Sequence, residues 1–360
     1  MRAAICREFG KPLEIAEVTL ADPDPGEVRA EVRAVAICHS DVLYASGGWG
    51  GQLPAVYGHE AAGVVTKVGE GVTDFTPGDH VVITLVRNCG TCPCCARNYR
   101  GSCESSFPLD DPGPLAFPDG NPVKQGLRTA AFAEEVTVHQ SQMVAIPRDV
   151  PFDAASLLAC GVITGWGAVI NTAAPLPGRD LVVIGCGGVG LNAVQGAAQT
   201  NPKRLIAVDL SAEKLAAAEA FGATHTVDGS AQNPVQAVRD LTGGRGADYI
   251  FVTVGAVPAM KQSYAMMAPG GCSVLVGMAD EAARSTFNPL ALSDNSGRII
   301  GSKMGHSDIR ADIPRLVEMY RAGDLMLDEL ITVRLPFDQI NQAIENVEKG
   351  IGLRNVIVME

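Results

Sequence analysis

Residues 181–200 read LVVIGCGGVGLNAVQGAAQT, and this stretch decides the fold of the second half of the chain. An apolar, strand-like run is followed at once by Gly185, Gly187 and Gly190 in G-x-G-x-x-G spacing, and then by a helical pattern. Glycines at this spacing let the backbone turn tightly and approach a pyrophosphate at a helix N-terminus, where unpaired N–H groups favour anions. The stretch therefore predicts a strand–turn–helix unit that binds a dinucleotide.

The segments that follow strengthen this interpretation. The next apolar run, LIAVD, ends in Asp209, where an acidic side chain hydrogen-bonds the adenosine ribose and repels a 2′-phosphate. NAD is therefore predicted rather than NADP, and a glycine-rich turn that binds nothing is the weaker alternative. The runs DYIFVTV and CSVLVG alternate with helical stretches such as AEKLAAAEAFGA. This alternation predicts an α/β fold with a doubly wound parallel sheet.

The rest of the chain has a different pattern. The first 150 residues show short alternating runs such as EVRAEVRAVAIC, separated by turn signals such as TPGDH, which is typical of strands joined by turns. The last sixty residues contain helical patterns and close on the strand-like RNVIVM. A chain of 360 residues exceeds the usual size of one core, so we predict two domains, with the C-terminal part returning to the first.

Composition limits the partners and the location. The net charge is -12 and the sequence pI is about 5.0, which argues against general affinity for nucleic acid or anionic lipid and favours small-molecule partners. The N-terminus lacks a signal-peptide pattern, and no run has the roughly eighteen consecutive apolar residues of a membrane span. We therefore expect a cytoplasmic protein whose ten cysteines are reduced.

Five cysteines lie within the sixteen residues NCGTCPCCARNYRGSC, 88–103. In a reducing compartment such a cluster is better explained by a metal than by disulfides. Cys89, Cys92, Cys95 and Cys103 supply four thiolates for a closed tetrahedral zinc site, which is a structural site because no position is left for substrate. An iron–sulfur cluster is the minor alternative, since its pattern continues with x3-Cys-Pro. Because Cys95 keeps the repeated x2 interval, Cys94 is predicted to be the spare thiol.

A second candidate metal site is scattered along the sequence. Cys38 lies in ICHSD, His59 and Glu60 lie in YGHEAAG, and Cys160 lies in LLACGVITGWG. Two thiolates and one imidazole that leave a fourth position open describe a catalytic zinc. Taken singly, Cys38 or Cys160 is more often an inert buried thiol and His59 a hydrogen-bonded histidine, whereas the composition of the set and the glycines around it favour a metal site. Spacing alone does not show that the three converge.

Taken together, these motifs resemble the zinc-dependent medium-chain alcohol dehydrogenase family over essentially the whole length. The matching segments are CHSD, GHEAAGVV, VGEGVTDFTPGDHV, the four-cysteine lobe, ACGVITGWGAV, VIGCGGVGL, AVDLSAEKLAAAEAFGATHTV and LRNVIV. The resemblance implies a GroES-like β-barrel catalytic domain, split into 1–161 and 305–360, with a structural zinc lobe at about 88–104. It also implies a Rossmann domain at 162–304, an active site in the cleft between the domains, and a homodimer or homotetramer.

The resemblance also implies roles for individual residues. Cys38, His59 and Cys160 would hold the catalytic zinc, with Glu60 behind it, Asp41 orienting His59 and Ser40 touching the substrate oxygen. The residues expected at the cofactor are Thr164 and Val189 at the nicotinamide, Gly185, Gly187, Gly188 and Gly190 in the phosphate loop, Asp209 and Lys214 at the ribose, and His39 and Arg354 at the pyrophosphate. Trp49, Leu85 and Trp166 would line the substrate pocket, although each is equally compatible with an ordinary core position.

Two positions depart from the family pattern. Leu43 stands where many relatives have a histidine that completes a proton relay, so the exit route of the proton is open. Trp49 and Phe107 stand where the glutathione-dependent members carry charged residues, so glutathione adducts are disfavoured as substrates.

The sequence thus predicts a zinc- and NAD-dependent enzyme, with two zinc ions per chain, that oxidises an apolar alcohol or reduces the corresponding aldehyde or ketone. The alternatives are a polyol dehydrogenase or a thiol-adduct aldehyde dehydrogenase of the same family, a non-catalytic zinc-binding relative, and a four-cysteine nucleic-acid module. The net negative charge of the chain argues against a nucleic-acid module.

Overall fold

A computed structural model describes residues 1–359 and divides the chain into two compact units. The first unit comprises Met1–Cys160 and the segment from Asp308 onward, and the second comprises Gly161–Ser307. The boundaries predicted from the sequence, 161/162 and 304/305, fall close to these divisions.

The strands of the first unit are β1 (Arg2–Cys6), β2 (Glu14–Glu17), β3 (Thr19–Leu20), β4 (Glu27–Ala36), β5 (Ala55–Val56), β6 (Glu60–Val68), β7 (His80–Ile83), β8 (Leu115–Ala116), β9 (Pro122–Gln125), β10 (Glu135–His139) and β11 (Met143–Ala145). Those of the second unit are β12 (Asp180–Ile184), β13 (Arg204–Asp209), β14 (His225–Asp228), β15 (Ala247–Val252), β16 (Met267–Leu275) and β17 (Arg298–Gly301). The first unit is completed by β18 (Ile331–Pro336) and β19 (Arg354–Val358).

The helices are α1 (His39–Ala45), α2 (Pro93–Ala96), α3 (Phe152–Leu157), α4 (Ile163–Gly167), α5 (Gly188–Ala198), α6 (Ala212–Ala220), α7 (Pro234–Leu241), α8 (Val257–Met266), α9 (Pro289–Asp294), α10 (Ile309–Ala322) and α11 (Ile340–Glu348).

The first unit is built on two mainly antiparallel sheets. Their strand orders are β2-β1-β5-β9-β8-β3 and β11-β7-β6-β4-β19-β18, and β10 also pairs with β4. In β4 the apolar Val28, Ala30 and Val32 are buried while the charged residues between them are not fully buried, as expected for a strand with one face on the core. Because β19 pairs with β4, the last strand of the chain belongs to the same sheet as the strand that precedes α1.

The second unit has one parallel sheet in the order β14-β13-β12-β15-β16-β17. This is the doubly wound order, with its topological switch between β12 and β15. The central strands β13 and β15 are largely buried, and β12 between them is buried at every position, whereas the edge strands β14 and β17 are mostly half-buried or exposed. The parallel sheet predicted from the sequence is present, and the glycine-rich turn follows the strand at the switch.

One helical run is long and apolar enough to span a membrane by length and composition alone. It covers Phe152–Ala173, combines α3 and α4 with two π-helical segments, and has a mean hydropathy of 1.5. Because 83% of its most apolar window is buried within the protein, its apolar residues are explained by core packing.

Candidate functional site

The four residues of the predicted catalytic zinc site lie together in the first unit. Cys38 is the N-cap of α1, His59 and Glu60 lie at the start of β6, and Cys160 lies in the π-helical segment Leu158–Val162. One potential ligand atom from each of the four lies within 4.8 Å of the others. The fold therefore produces the convergence that sequence spacing could not show.

Asp41 fixes the orientation of the histidine. Its Oδ1 lies 2.9 Å from His59 Nδ1 and also accepts a hydrogen bond from the Gly58 amide, while its Oδ2 accepts one from the Cys38 amide. Both side chains are almost fully buried. The other ring nitrogen, His59 Nε2, is buried without a hydrogen-bond partner among residues 1–359. An unpaired buried nitrogen beside two sulfur atoms fits a zinc ligand, since a carboxylate commonly holds the far side of such an imidazole.

Charges around this centre shift the protonation of its groups. The hydrogen bond from Cys160 overcomes burial and, with His59, lowers the pKa of the Cys38 thiol, whereas the same bond and burial raise the pKa of Cys160. Burial opposes a charged imidazole, but Asp41 and Cys38 outweigh it and raise the pKa of His59. A divalent cation would favour two thiolates and a neutral imidazole, so metal binding here releases protons.

Glu60 is paired with an arginine from the other end of the chain. Arg354 Nη2 donates to Glu60 Oε2 at 2.5 Å, and both side chains are buried. Burial raises the pKa of Glu60 to about 8 against the opposing effect of Arg354. The family resemblance places Arg354 at the pyrophosphate, whereas the structure holds its guanidinium against Glu60. The phosphate contact of Arg354 thus stays a prediction.

The four cysteines of the predicted structural site are also gathered within 4.8 Å of one another. Backbone amides point at their sulfur atoms, with Cys92 N donating to Cys89 Sγ at 3.2 Å and Cys95 N to Cys92 Sγ at 3.5 Å. Hydrogen bonds from Ser105 and from the amides of Thr91 and Cys92 lower the pKa of Cys89 to about 5. Donors of this kind stabilise thiolates, the form in which cysteine binds zinc.

Cys94 lies outside this group. Its thiol donates to Glu104 Oε1 at 3.4 Å, and this carboxylate raises the pKa of the thiol. A protonated thiol directed at a carboxylate is a poor metal ligand.

We expect Cys95→Ser to lower the zinc content of the purified protein and its melting temperature, because a closed four-thiolate site contributes directly to folding. The matched change Cys94→Ser should leave both values as in the wild type. Metal analysis and thermal unfolding of the two variants check this. Loss of zinc from the Cys94 variant alone would show that the spare thiol has been misassigned.

A buried arginine next to the cysteine lobe was not found from the sequence. Arg87 is fully buried, and its guanidinium donates to Gln142 Oε1, Gln125 Oε1 and Asp110 Oδ1 at 2.7–3.0 Å. Burial lowers its pKa to about 10. Arg87 lies two residues before Cys89, and its bonds reach Gln125 in β9 and Gln142 just before β11. The cysteine lobe is therefore attached to the sheets by a polar network whose hydrogen bonds are satisfied. No local motif marks such a residue, since its partners are distant in sequence.

The glycine-rich turn of the second unit has the geometry of a phosphate loop. A Cβ on Gly190 would lie 1.8 Å from the Gly185 carbonyl oxygen, so no other residue fits there. A Cβ on Gly187, the N-cap of α5, would meet nothing within 4 Å. Open space in front of a helix N-terminus is what a pyrophosphate requires. The residues present therefore fit a dinucleotide.

Asp209 lies at the end of β13, beside this turn. Its carboxylate accepts hydrogen bonds from the amides of Cys186 at 2.6 Å, Leu210 at 2.7 Å and Ser211 at 2.9 Å. These donors hold the side chain in place, and Lys214 follows in the first turn of α6. The neighbouring Leu210 is 73% exposed.

The two residues predicted at the nicotinamide belong to neighbouring elements of the second unit. Thr164 lies in α4 and donates its hydroxyl to Met304 Sδ at 3.7 Å, and Val189 lies in the first turn of α5. Met304 was not found from the sequence. Trp166 is fully buried in the same unit, where its indole donates to Gln199 Oε1 at 3.1 Å. Trp166 is thus a core residue, and its assignment to the substrate pocket is corrected.

The remaining predicted residues surround α1. His39 is exposed, Ser40 and Leu43 are half-buried, and Leu85 lies half-buried just after β7. Trp49 packs edge-to-face on Tyr44 with ring centroids 5.2 Å apart, and Tyr44 stacks on the buried Tyr57 at 5.9 Å. Trp49 was predicted from the sequence as a pocket residue, whereas neither tyrosine was.

Comparisons with known proteins agree with this geometry. A family model described as an alcohol dehydrogenase GroES-like domain matches residues 24–148, and one described as a zinc-binding dehydrogenase matches residues 188–321. Alcohol dehydrogenase 1 of Pisum sativum is 36% identical, over 100% of this chain and 97% of the relative.

Two solved structures share the whole fold. An alcohol dehydrogenase zinc-binding domain protein from Burkholderia ambifaria superposes with a TM-score of 0.94 at 32% identity, covering 100% of this chain and 98% of that one. Benzyl alcohol dehydrogenase from Acinetobacter calcoaceticus gives 0.92 at 30% identity, with 100% and 99% covered. The predicted combination of a GroES-like catalytic domain with a Rossmann domain is confirmed. With matches of this extent in both units, the chain belongs to the zinc-dependent medium-chain alcohol dehydrogenase family and is an alcohol dehydrogenase.

Proposed function

We propose that this alcohol dehydrogenase uses NAD and two zinc ions per chain to oxidise an apolar alcohol to an aldehyde or ketone, and catalyses the reverse reduction. The observation that carries the proposal is the cluster of Cys38, His59 and Cys160, with His59 Nε2 buried and unpaired among residues 1–359. Zinc bound there supplies a Lewis acid that lowers the pKa of an alcohol or polarises a carbonyl group.

The surrounding residues prepare this centre for the reaction. Asp41 holds the imidazole of His59 by its Nδ1, which leaves Nε2 free to bind a zinc ion that Cys38 and Cys160 would also hold. Ser40, in the first turn of α1, accepts the hydroxyl proton of the alcohol at its Oγ and passes it on. Glu60 lies behind the metal ligands, and Arg354 favours its ionised form against the effect of burial. A buried carboxylate without this partner would be costly.

Residues of the second unit bind the cofactor. The phosphate loop from Gly185 to Gly190 holds the pyrophosphate, Asp209 and Lys214 hold the adenosine ribose, and Thr164 and Val189 contact the nicotinamide. His39 is offered as a further pyrophosphate contact because it is exposed at the start of α1. With Leu43 apolar, His39 or water is the proposed final acceptor of the proton from Ser40.

Two side chains assigned to the pocket and one solved relative support an apolar substrate. Trp49 and Leu85 supply large apolar side chains, and a solved relative at 30% identity is a benzyl alcohol dehydrogenase. A polyol dehydrogenase is the rival, and it would need polar groups in place of these side chains.

The quaternary structure and location are also proposed. In the second unit β17 is the last strand of its sheet, and Met278, Phe287 and Leu290 are 58%, 49% and 76% exposed. An edge strand with apolar side chains exposed in the same unit fits pairing with a second copy, as in a homodimer or a homotetramer. The ten free cysteines fit a reducing compartment such as the cytoplasm.

Initial-rate assays test the function. The zinc-loaded protein should reduce NAD with primary, secondary and aromatic alcohols and should turn over polyhydroxy alcohols much less well, because a site with apolar side chains offers too few partners for several additional hydroxyls. The measurement is NADH absorbance across a panel of these alcohols. A preference for sorbitol-like substrates would favour the polyol rival, and no NADH with any alcohol would refute the proposal.

A further inference from the structure

The aromatic side chains near α1 form a connected group in the first unit. Trp49 contacts Tyr44 edge-to-face, and Tyr44 stacks on Tyr57 at an interplanar angle of 26°. Ser40 and Tyr44 are four residues apart in α1, so their side chains lie on the same face of the helix. The aromatic group therefore begins beside the residue proposed to touch the substrate oxygen.

Tyr57 is the unusual member of this group. Its side chain is deeply buried, with the residue 3% exposed, yet its hydroxyl has no hydrogen-bond partner among residues 1–359. Burying an unpaired hydroxyl destabilises a protein, and a phenylalanine would fill the same space without this penalty. A tyrosine at this position is explained if another molecule provides the missing partner.

The hydroxyl itself is inaccessible, but open space lies close to it, at Gly51. A Cβ atom on Gly51 would lie 3.9 Å from Tyr57 Oη, and no other heavy atom, apart from its chain neighbours, lies within 4 Å of that position in the described structure. Gly51 has a φ of +132°, a conformation that residues with side chains rarely adopt, and it is exposed. The loop that follows Trp49 thus leaves space open beside the phenol.

We propose that Tyr57 is a specificity-determining residue whose hydroxyl binds a second oxygen atom of an aromatic alcohol packed against Tyr44 and Trp49. The inference rests on the proposed function, since it assigns the substrate class of the same site. Aromatic rings pack well edge-to-face or offset against other rings, which favours an aryl group along this wall. A phenol hydroxyl both donates and accepts, so a ring hydroxyl or a methoxy oxygen satisfies it.

The test compares benzyl alcohol with the ortho, meta and para hydroxybenzyl and methoxybenzyl alcohols. We expect the wild type to prefer at least one oxygen-substituted alcohol over benzyl alcohol by about tenfold or more in kcat/KM, because an unsubstituted ring leaves the buried hydroxyl unpaired. Tyr57→Phe should reduce this preference to about twofold or less, mainly through KM, since the bond is made in the bound substrate as well as in the transition state.

Tyr320→Phe is the matched control. Tyr320 lies in α10, and its hydroxyl donates to Asp328 Oδ2 at 2.9 Å. This variant also removes one phenol hydroxyl, but it should keep the wild-type preference among the benzyl alcohols. Zinc content and melting temperature establish that the Tyr57 variant is folded.

The outcomes separate the inference from the function on which it rests. If the wild type oxidises alcohols with NAD but shows no preference among the benzyl alcohols, the substrate assignment is overturned and the function stands. If Tyr57→Phe retains the preference, the hydroxyl does not bind the substrate and the assignment is likewise overturned. Failure of the zinc-loaded wild type with every alcohol would overturn both.

Discussion

Replacing Cys160 with alanine should abolish alcohol oxidation, by at least about a thousandfold in kcat, and leave a folded protein that carries one zinc ion per chain. The Lewis acid at such a site contributes several kcal/mol to the reaction, and each 1.36 kcal/mol is about tenfold in rate. Cys160 lies with Cys38 and His59 in one cluster, so its loss leaves only two ligands besides Glu60. The four-cysteine lobe is a separate cluster and should keep its ion.

A matched control is available in the second unit. Cys272 is fully buried and belongs to neither group of candidate metal ligands. The change Cys272→Ala therefore removes the same side-chain atom as Cys160→Ala, but from a part of the core that holds no metal site. It should retain both zinc ions and the wild-type rate, with a moderate loss of stability from the small cavity. Metal analysis and NADH absorbance report both quantities. A Cys160 variant that keeps two zinc ions and its activity would contradict the assigned ligand set.

The second large effect is expected in the choice of cofactor. The wild type should prefer NAD over NADP by at least about a hundredfold in kcat/KM, because like charges about 4 Å apart near a protein surface repel by about 4 kcal/mol. Asp209→Gly should reduce this preference to about tenfold or less. Part of this change would be a lower kcat/KM with NAD, because the variant also loses the hydrogen bonds to the ribose.

Asp228 provides the control for Asp209. The two residues are register partners at the ends of β13 and β14, and the Asp228 carboxylate also accepts bonds from a following residue, Ser230. Asp228→Gly should therefore disturb a strand end to a similar degree without changing the cofactor preference. Comparable efficiency of the wild-type enzyme with NAD and NADP would refute the role of Asp209.

The sequence was most informative where a function depends on local spacing. The strand, the glycine turn and Asp209 follow one another along the chain. In the same way, C-x2-C-x2-C places three cysteines around one short helical turn. In both cases the spacing in the sequence determines the geometry of the site. It was less informative for contacts between distant segments. Glu60 and Arg354 are 294 residues apart, and the partners of Arg87 come from three other segments. No periodicity encodes such pairs.

The two tryptophans show a second limit. Both are large apolar residues near motifs that resemble the family, and both were predicted to line the substrate pocket. Trp49 lies in a partly exposed glycine-rich loop, whereas Trp166 is directed into the core beside Gln199. Which way a helix presents one side chain is decided by packing against its neighbours, and a single sequence holds little information on that choice.

The position of Arg354 in the last strand has a consequence for biosynthesis. The nucleotide-binding unit is one continuous segment, Gly161–Ser307, so all of its residues have been made well before translation ends. Domains fold largely as units during synthesis, with earlier segments folding first. The sheet that contains β4, by contrast, receives β19 only from the final residues, and Glu60 receives its buried counter-charge with them. The zinc-binding unit of a nascent chain is therefore completed after the nucleotide-binding unit, although its strands β1–β11 are made earlier.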